Sequence, residues 1–256
     1  MRIGLPISES KTQYYINQAY VEYIETAGYT PVLIHTRANI ERIVESIDGL
    51  VLPGGIDVDP IHYGIDNVSS FTVDPAKDRF ERNLFHVCRM RGLPIFGICR
   101  GLQLIALEYI MSHPESNTYL DFWTHISSHN QVESQKLERD HFVHFVNAYG
   151  NQLYGVAGSP KNSVRIPVNS MHHQALVANK TGHPVGQKFA VLAWTDRGLG
   201  EKEAKASVVV EAFSITGWGG KIFAVQWHPE ELKDHKLILN FFSSPQEKVA
   251  ANAIQD

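Results

Sequence analysis

The sequence predicts a three-layer α/β fold, in which helices cover a central, mostly parallel sheet that carries some antiparallel strands. Three observations lead there. Strand-like and helix-like segments alternate through the first half of the chain, the pattern of parallel strands joined by crossover helices. The second half is a series of strand-like runs joined by turn-rich pieces, which predicts antiparallel pairing. The composition, 43% apolar and 20% charged over 256 residues, is that of a globular chain able to bury a large core.

The elements follow in order. RIGLPI reads as a short first strand. Over residues 12–28, Ile16, Ala19, Tyr20, Tyr23, Ile24 and Ala27 fall on one helical stripe, with Gly28 as a stop. PVLIHT is a second strand, NIERIVESI a short helix, and DGLVLPGG a third strand ending in glycines. Residues 75–92 form a helix whose apolar face includes Phe80, Leu84, Val87 and Cys88. LPIFGI is a fourth strand, and Leu102, Ile105, Ala106, Tyr109 and Ile110 mark the helix beyond Cys99. HFVHFVN, VRIPVNS, KFAVLAWTD, SVVVEAFS and KIFAVQW complete the strands. With no repeat or linker, residues 1–245 read as one domain and 246–256 as a surface tail.

Charge and cysteine usage narrow the function. A net charge of −4 without a basic cluster gives no footprint for nucleic acid or an anionic membrane. No apolar run reaches the ~18 residues of a membrane span. The start, MRIGLPIS, lacks the longer apolar region of a signal peptide. Two cysteines cannot build a disulfide framework, so a reducing cytoplasm is expected.

Those two cysteines differ in setting. Cys88 lies on a helical apolar stripe, as a small buried hydrophobe would. Cys99 follows a strand, precedes a helix and stands between Gly97 and Gly101 in GICRG. Such a turn exposes its central side chain, while small flanking residues allow close approach. The helix N-terminus favours a thiolate and offers free N–H groups to a developing oxyanion. A nucleophilic thiol needs a base, and the base an orienting group. Of thirteen histidines, His228 stands directly after the strand KIFAVQW, at the sheet edge where ligands gather. Glu230, two residues on across Pro229, can hold its tautomer and stabilise the imidazolium.

GICRGLQ, LPGG, VNSMHHQ and VQWHPE, in this order over some 180 residues, resemble the class I glutamine amidotransferase superfamily. The likeness is nearer to its gamma-glutamyl hydrolase branch, peptidase C26, and to gamma-glutamyl-gamma-aminobutyrate hydrolase-like proteins. It runs from about Ile3 to Phe242 and implies a flavodoxin-like fold with a Cys99–His228–Glu230 triad. It further implies an oxyanion hole from the N–H groups of Gly55 and Arg100, and a substrate wall comprising Gly54, Gln103, Ser170, Met171 and His172. No cofactor is implied. No metal is expected either: His172 and His173 would face opposite sides of a strand, and no acidic or thiol cluster completes a site.

The activity so implied is hydrolysis of the γ-glutamyl amide of a small amine. A glutaminase delivering ammonia to a separate synthetase and a non-catalytic binding module are the alternatives, and the sequence leaves a homodimer open. An Asp-rich helix start offers Asp74 and Asp78 either as N-terminal helix carboxylates or as contacts to a substrate amine. Two segments depart from the family pattern and are expected to border the pocket: YIMSHPESNTYLDFW after the elbow helix, and TDRGLGEKEAKASVVVEAF, where Glu211 and Ala212 arrive after an insertion.

Overall fold

A computed structural model describes residues 1–65, 72–123, 126, 129–130, 138–141, 144–149, 153, 163–180 and 188–243. The expected tail at 246–256 lies outside them. Strands β1 (Arg2–Pro6), β4 (Thr30–Ile34), β5 (Gly49–Leu52), β6 (Ile95–Ile98) and β13 (Ile222–Val225) pair in parallel, in the order β4-β1-β5-β6-β13. From β13 the sheet continues antiparallel through β12 (Ser207–Ile215), β11 (Phe189–Thr195), β8 (His144–Ala148) and β9 (Val164–Val168). One 11-stranded sheet therefore joins both halves of the chain, as the α/β reading predicts.

Two strands escape the periodicity. β7 (Leu120–Trp123) lies in the first departing segment and pairs with β10 (Ala175–Asn179), which in turn pairs with Ser207–Val209 of β12. The long β12 thus offers one edge to two neighbours, β10 at its start and β13 along Ala212–Ile215. Glu211 sits at that junction, where its carbonyl accepts from Gln226 N–H at 2.7 Å.

The helices start where a side chain meets their free N–H groups. α1 (Gln18–Thr26) begins later than its apolar stripe because Asn17 caps it, accepting from Ala19 N–H, and a small hairpin of β2 (Ser8–Glu9) and β3 (Tyr14–Tyr15) takes up the preceding residues. Asn39 caps α2 (Ile40–Val44), and Asp74 caps α3 (Pro75–Met90) with proline at the first helical position. α4 (Arg100–Ser112) follows Cys99 directly, and α5 (Glu201–Ala206) fills the second departing segment.

Residues of α2, α3 and α4 pack on Leu50, Leu52, Ile95 and Ala224, on one face of the sheet. Residues of α1 and of α6 (His235–Phe242) pack on Val51, Phe96, Ile98 and Val225 on the other. The alternation along β5, β6 and β13 is the two-residue period of a strand buried on both faces. Among the described residues, no helix is long and apolar enough to cross a membrane.

Packing is close where α4 leaves the sheet. A Cβ on Gly101 would stand 2.3 Å from the Leu52 carbonyl oxygen, and one on Gly97 2.7 Å from Ile105 Cδ1 and 2.9 Å from the Gly101 carbonyl. Gly101→Ala must push α4 away from β5, at a cost of about 1–3 kcal/mol by analogy with overpacked cores. Urea denaturation should show a lowered midpoint with an unchanged slope.

Candidate active site

The chain runs from β1 outward to β4, then returns to build β5, β6 and β13 on the other side of β1. The C-terminal ends of those strands meet at this reversal, the usual ligand edge of an open α/β sheet. Gly54 and Gly55 follow β5, Cys99 follows β6, and His228 follows β13. β6 lies between the other two, so its cysteine is flanked by the glycine loop and the histidine.

Cys99 has φ 51° and ψ −105°, a left-handed backbone that costs a non-glycine residue of order 1–3 kcal/mol. The surroundings enforce it. Cys99 N–H donates to the Val225 carbonyl at 2.8 Å, extending the β6–β13 ladder, while its own carbonyl already accepts from Leu102 N–H at 3.0 Å. One residue therefore closes the strand and opens the helix, which projects its side chain from the edge.

His228 hydrogen-bonds Cys99, and its Nδ1–H donates to Glu230 Oε1 at 2.6 Å. All three residues are buried, at 5%, 5% and 4% exposure for Cys99, His228 and Glu230. Burial alone would pull the His228 pKa down, but the charges of Glu230 and of the Cys99 thiolate outweigh it and hold the imidazole well above its ordinary value. Nδ1–H points at the carboxylate and Nε2 is left for the sulfur, the tautomer that proton transfer to and from sulfur requires.

Two residues with no sequence signal of their own fix this geometry. The Tyr20 hydroxyl accepts from Gly54 N–H at 2.9 Å, lies 3.3 Å from His228 Nδ1 and bonds Glu230. Burial, with the charges of Glu230 and Cys99, raises its pKa well above the ordinary value, so it stays a neutral phenol. Its place on the apolar stripe of α1 is explained by its ring; only its hydroxyl, which must find a partner when buried, hinted at more. Asn169 holds the peptide of His228 from both sides, accepting from His228 N–H at 2.8 Å and donating to His228 O at 3.1 Å.

The other expected residues fall as follows. Gly54 has no room for a side chain: a Cβ would lie 2.6 Å from Tyr20 Oη and 2.8 Å from His228 Cε1. Arg100 begins α4, where a backbone N–H has no partner inside the helix. Its guanidinium was not anticipated, and it bonds Asp78 and Glu81 beneath α3. Asp78 is thereby engaged in the interior, and Asp74 is the helix cap. Gln103 donates to the Gln174 carbonyl at 3.0 Å and to Gln226 Oε1 at 3.3 Å. The Ser170 hydroxyl donates to His129 O at 2.6 Å, and the partly buried Met171 bridges to Asn130. Pro114, Asn117, Leu120, Asp121 and Phe122 of the first departing segment line a cavity of about 340 Å³ with His62 and Tyr63, a cavity that Cys99 does not line.

One expectation needs correcting. A carboxylate does join the histidines: Glu211 Oε1 lies 3.3 Å from His144 Nε2 and 3.7 Å from His129 Nδ1, and His129 Nδ1 lies 3.1 Å from His172 Nε2. The extremes, His129 and Glu211, are 82 positions apart, so no local spacing could show the cluster.

This is the fold of class I glutamine amidotransferase domains. The glutaminase domain of Trypanosoma brucei CTPS superposes with a TM-score of 0.56 at 14% identity, covering 94% of this chain and 91% of that one. The peptidase C26 family profile matches residues 6–230, and the chain belongs to that family. It is 29% identical to the glutamine amidotransferase-like protein YvdE of Lactococcus lactis, over 84% of this chain and 80% of YvdE. It is 27% identical to the gamma-glutamyl-gamma-aminobutyrate hydrolase PuuD of Escherichia coli K12, over 84% of this chain and 78% of PuuD.

Two expected outcomes follow from the geometry. Iodoacetamide at neutral pH should alkylate Cys99 well before Cys88, whose fully buried thiol is pushed up to about 12 by burial; peptide mass spectrometry reads the order. Glu230→Gln removes the charge that holds His228 protonated, so its pKa should fall. An NMR titration of the ring protons should show deprotonation at lower pH than in the unaltered chain.

Proposed function

We propose that the chain is a thiol hydrolase that cleaves the γ-glutamyl amide bond of a small γ-glutamyl-amine. The observation that carries this reading is Cys99 at positive φ, with His228 against its sulfur and Glu230 2.6 Å behind the ring. The Cys99 thiolate attacks the amide carbonyl carbon, and the carbonyl oxygen takes the negative charge. The N–H groups of Gly55 and Arg100 hold that oxyanion; Gly54 N–H is already committed to Tyr20. His228 Nε2–H protonates the amine as the C–N bond breaks, leaving a thioester on Cys99. His228 then takes a proton from water, hydroxide attacks the thioester, and glutamate leaves as the thiolate is restored.

Family membership supports a hydrolase, and the name of the E. coli relative supports a γ-glutamyl substrate. Of the wall residues, Gln103, Ser170 and His172 direct polar atoms into the interior and set the wall's shape. Met171 and His173 are the members of VNSMHHQ only partly buried beside them. Both cysteines are free thiols, as suits a reducing cytoplasm.

A hydrolase must accommodate a leaving group larger than ammonia, and contacts to that group can contribute to transition-state binding. The isolated chain should therefore cleave γ-glutamyl amides of larger amines with higher kcat/KM than glutamine, in a mass-spectrometric screen of such amides. Cys99→Ala should abolish turnover while unfolding stays cooperative. Turnover of glutamine alone, and only with a second protein added, would establish the ammonia-donor reading instead.

A further inference from the structure

We propose that His129, His144 and Glu211, with His172 against His129, form a buried binding site for a first-row divalent metal ion, with zinc as the best match. The cluster lies in the antiparallel half of the sheet, apart from the triad, and the proposal does not depend on the reaction assigned to Cys99.

The argument starts from where the ring protons must be. His172 Nδ1 lies 2.9 Å from the Gln174 carbonyl oxygen, and His129 Nε2 lies 2.9 Å from the Arg197 carbonyl oxygen. A carbonyl only accepts, so each of these nitrogens carries the hydrogen. In the neutral rings His172 Nε2 and His129 Nδ1 are then both bare, yet they face each other at 3.1 Å. Ser170 does not relieve this, because its hydrogen goes to His129 O, leaving oxygen lone pairs 3.2 Å from His129 Nδ1. Glu211 Oε1 adds a negative oxygen 3.7 Å from that nitrogen, and His144 Nε2 stands 3.3 Å from the same oxygen. The donor atoms of His129, His144 and Glu211 lie within 4.8 Å of one another around one buried point, which calls for a cation.

A proton or a metal could supply it. The spacing favours the metal. Tetrahedral zinc with bonds of about 2.0–2.1 Å places its ligands about 3.3 Å apart; Glu211 Oε1 lies 3.3 Å from His144 Nε2 and 3.7 Å from His129 Nδ1, and the three donors lie within 4.8 Å of one another. Two imidazoles with one carboxylate suit zinc and its neighbours, whereas calcium and magnesium take oxygen ligands. The carbonyl on the far nitrogen of His129 is the outer partner that a metal-bound histidine ordinarily has. Three protein donors hold the ion and leave one coordination position. The ion would tie β8 and β12 to His129, which Ser170 and His172 bond from the segment whose Asn169 holds His228.

The test uses the whole purified chain. Metal analysis should find about one zinc per chain, and the chelator-treated protein titrated with cobalt(II) should develop the intense visible bands of tetrahedral cobalt. Loss of a direct ligand in Glu211→Gln or His129→Ala should weaken binding by more than the 10–100-fold typical of outer-shell changes, while Cys99→Ala should bind as the unaltered chain does. Should those variants fail to fold, histidine 15N shifts of the unaltered protein decide. Metal-dependent shifts at His129 Nδ1 and His144 Nε2 would support the site. A His129 imidazolium persisting in excess zinc would overturn it, as would absence of cobalt binding or binding lost in Cys99→Ala alone.

Discussion

The junction between β6 and α4 constrains everything else at the sheet edge. Cys99 is held at φ 51° because its N–H belongs to the sheet and its carbonyl to the helix, with no residue between to relax the change of direction. That arrangement exists only while α4 rests directly on the sheet, and the contact of Gly101 with the Leu52 carbonyl is what lets it rest there. The two glycines of GICRG therefore act through packing, since neither has a positive φ; the cysteine between them carries the unfavourable backbone instead. A strained residue of this kind persists only where its surroundings over-determine it.

Around this junction, buried polar groups tie neighbouring segments together. Tyr20 ties the glycine loop to the His228–Glu230 pair, so the segment after β5 and the segment after β13 cannot shift independently. Arg100 anchors the first turn of α4 from below through Asp78 and Glu81, each nearly fully buried. Burying three such charges is costly and is tolerated because they are paired. The return is that the backbone of Arg100, next to the nucleophile, is held by its own side chain.

Much of this was legible in the chain itself. The alternating periodicity located the parallel strands and α3 and α4 closely, because strands buried on both faces and amphipathic helices have strong local signatures. Cys99, His228 and Glu230, which we propose as nucleophile, base and carboxylate, were legible because each stands within five residues of a strand end, where sequence neighbours are also spatial neighbours. β7 and β10 were not, since each is short and takes its stability from pairing rather than from its own pattern. Tyr20, Asn169 and the Arg100–Asp78–Glu81 group were not either. Tyr20 contributes through one atom at the end of an apolar ring, and Asn169 through bonds to a backbone 59 residues away. The histidine cluster is the extreme case, because its donors come from three separate segments and only closure of the antiparallel sheet brings them together.

The two halves of the sheet thus divide the work. The parallel half presents Cys99, His228 and the glycine loop on three adjacent strand ends, a geometry set by local turns. The antiparallel half supplies what holds them: Asn169 beyond β9 fixes the His228 peptide, and Gln174 holds Gln103 on α4. Glu211 connects the two, since its carbonyl receives Gln226 N–H while its carboxylate faces the histidines. Insertions can enter the antiparallel half without touching Cys99, and both departing segments lie in or beside it, as β7 and as α5 leading into β12. Variation there can reshape what surrounds the edge, while the reacting groups keep the positions that the β6–α4 junction dictates.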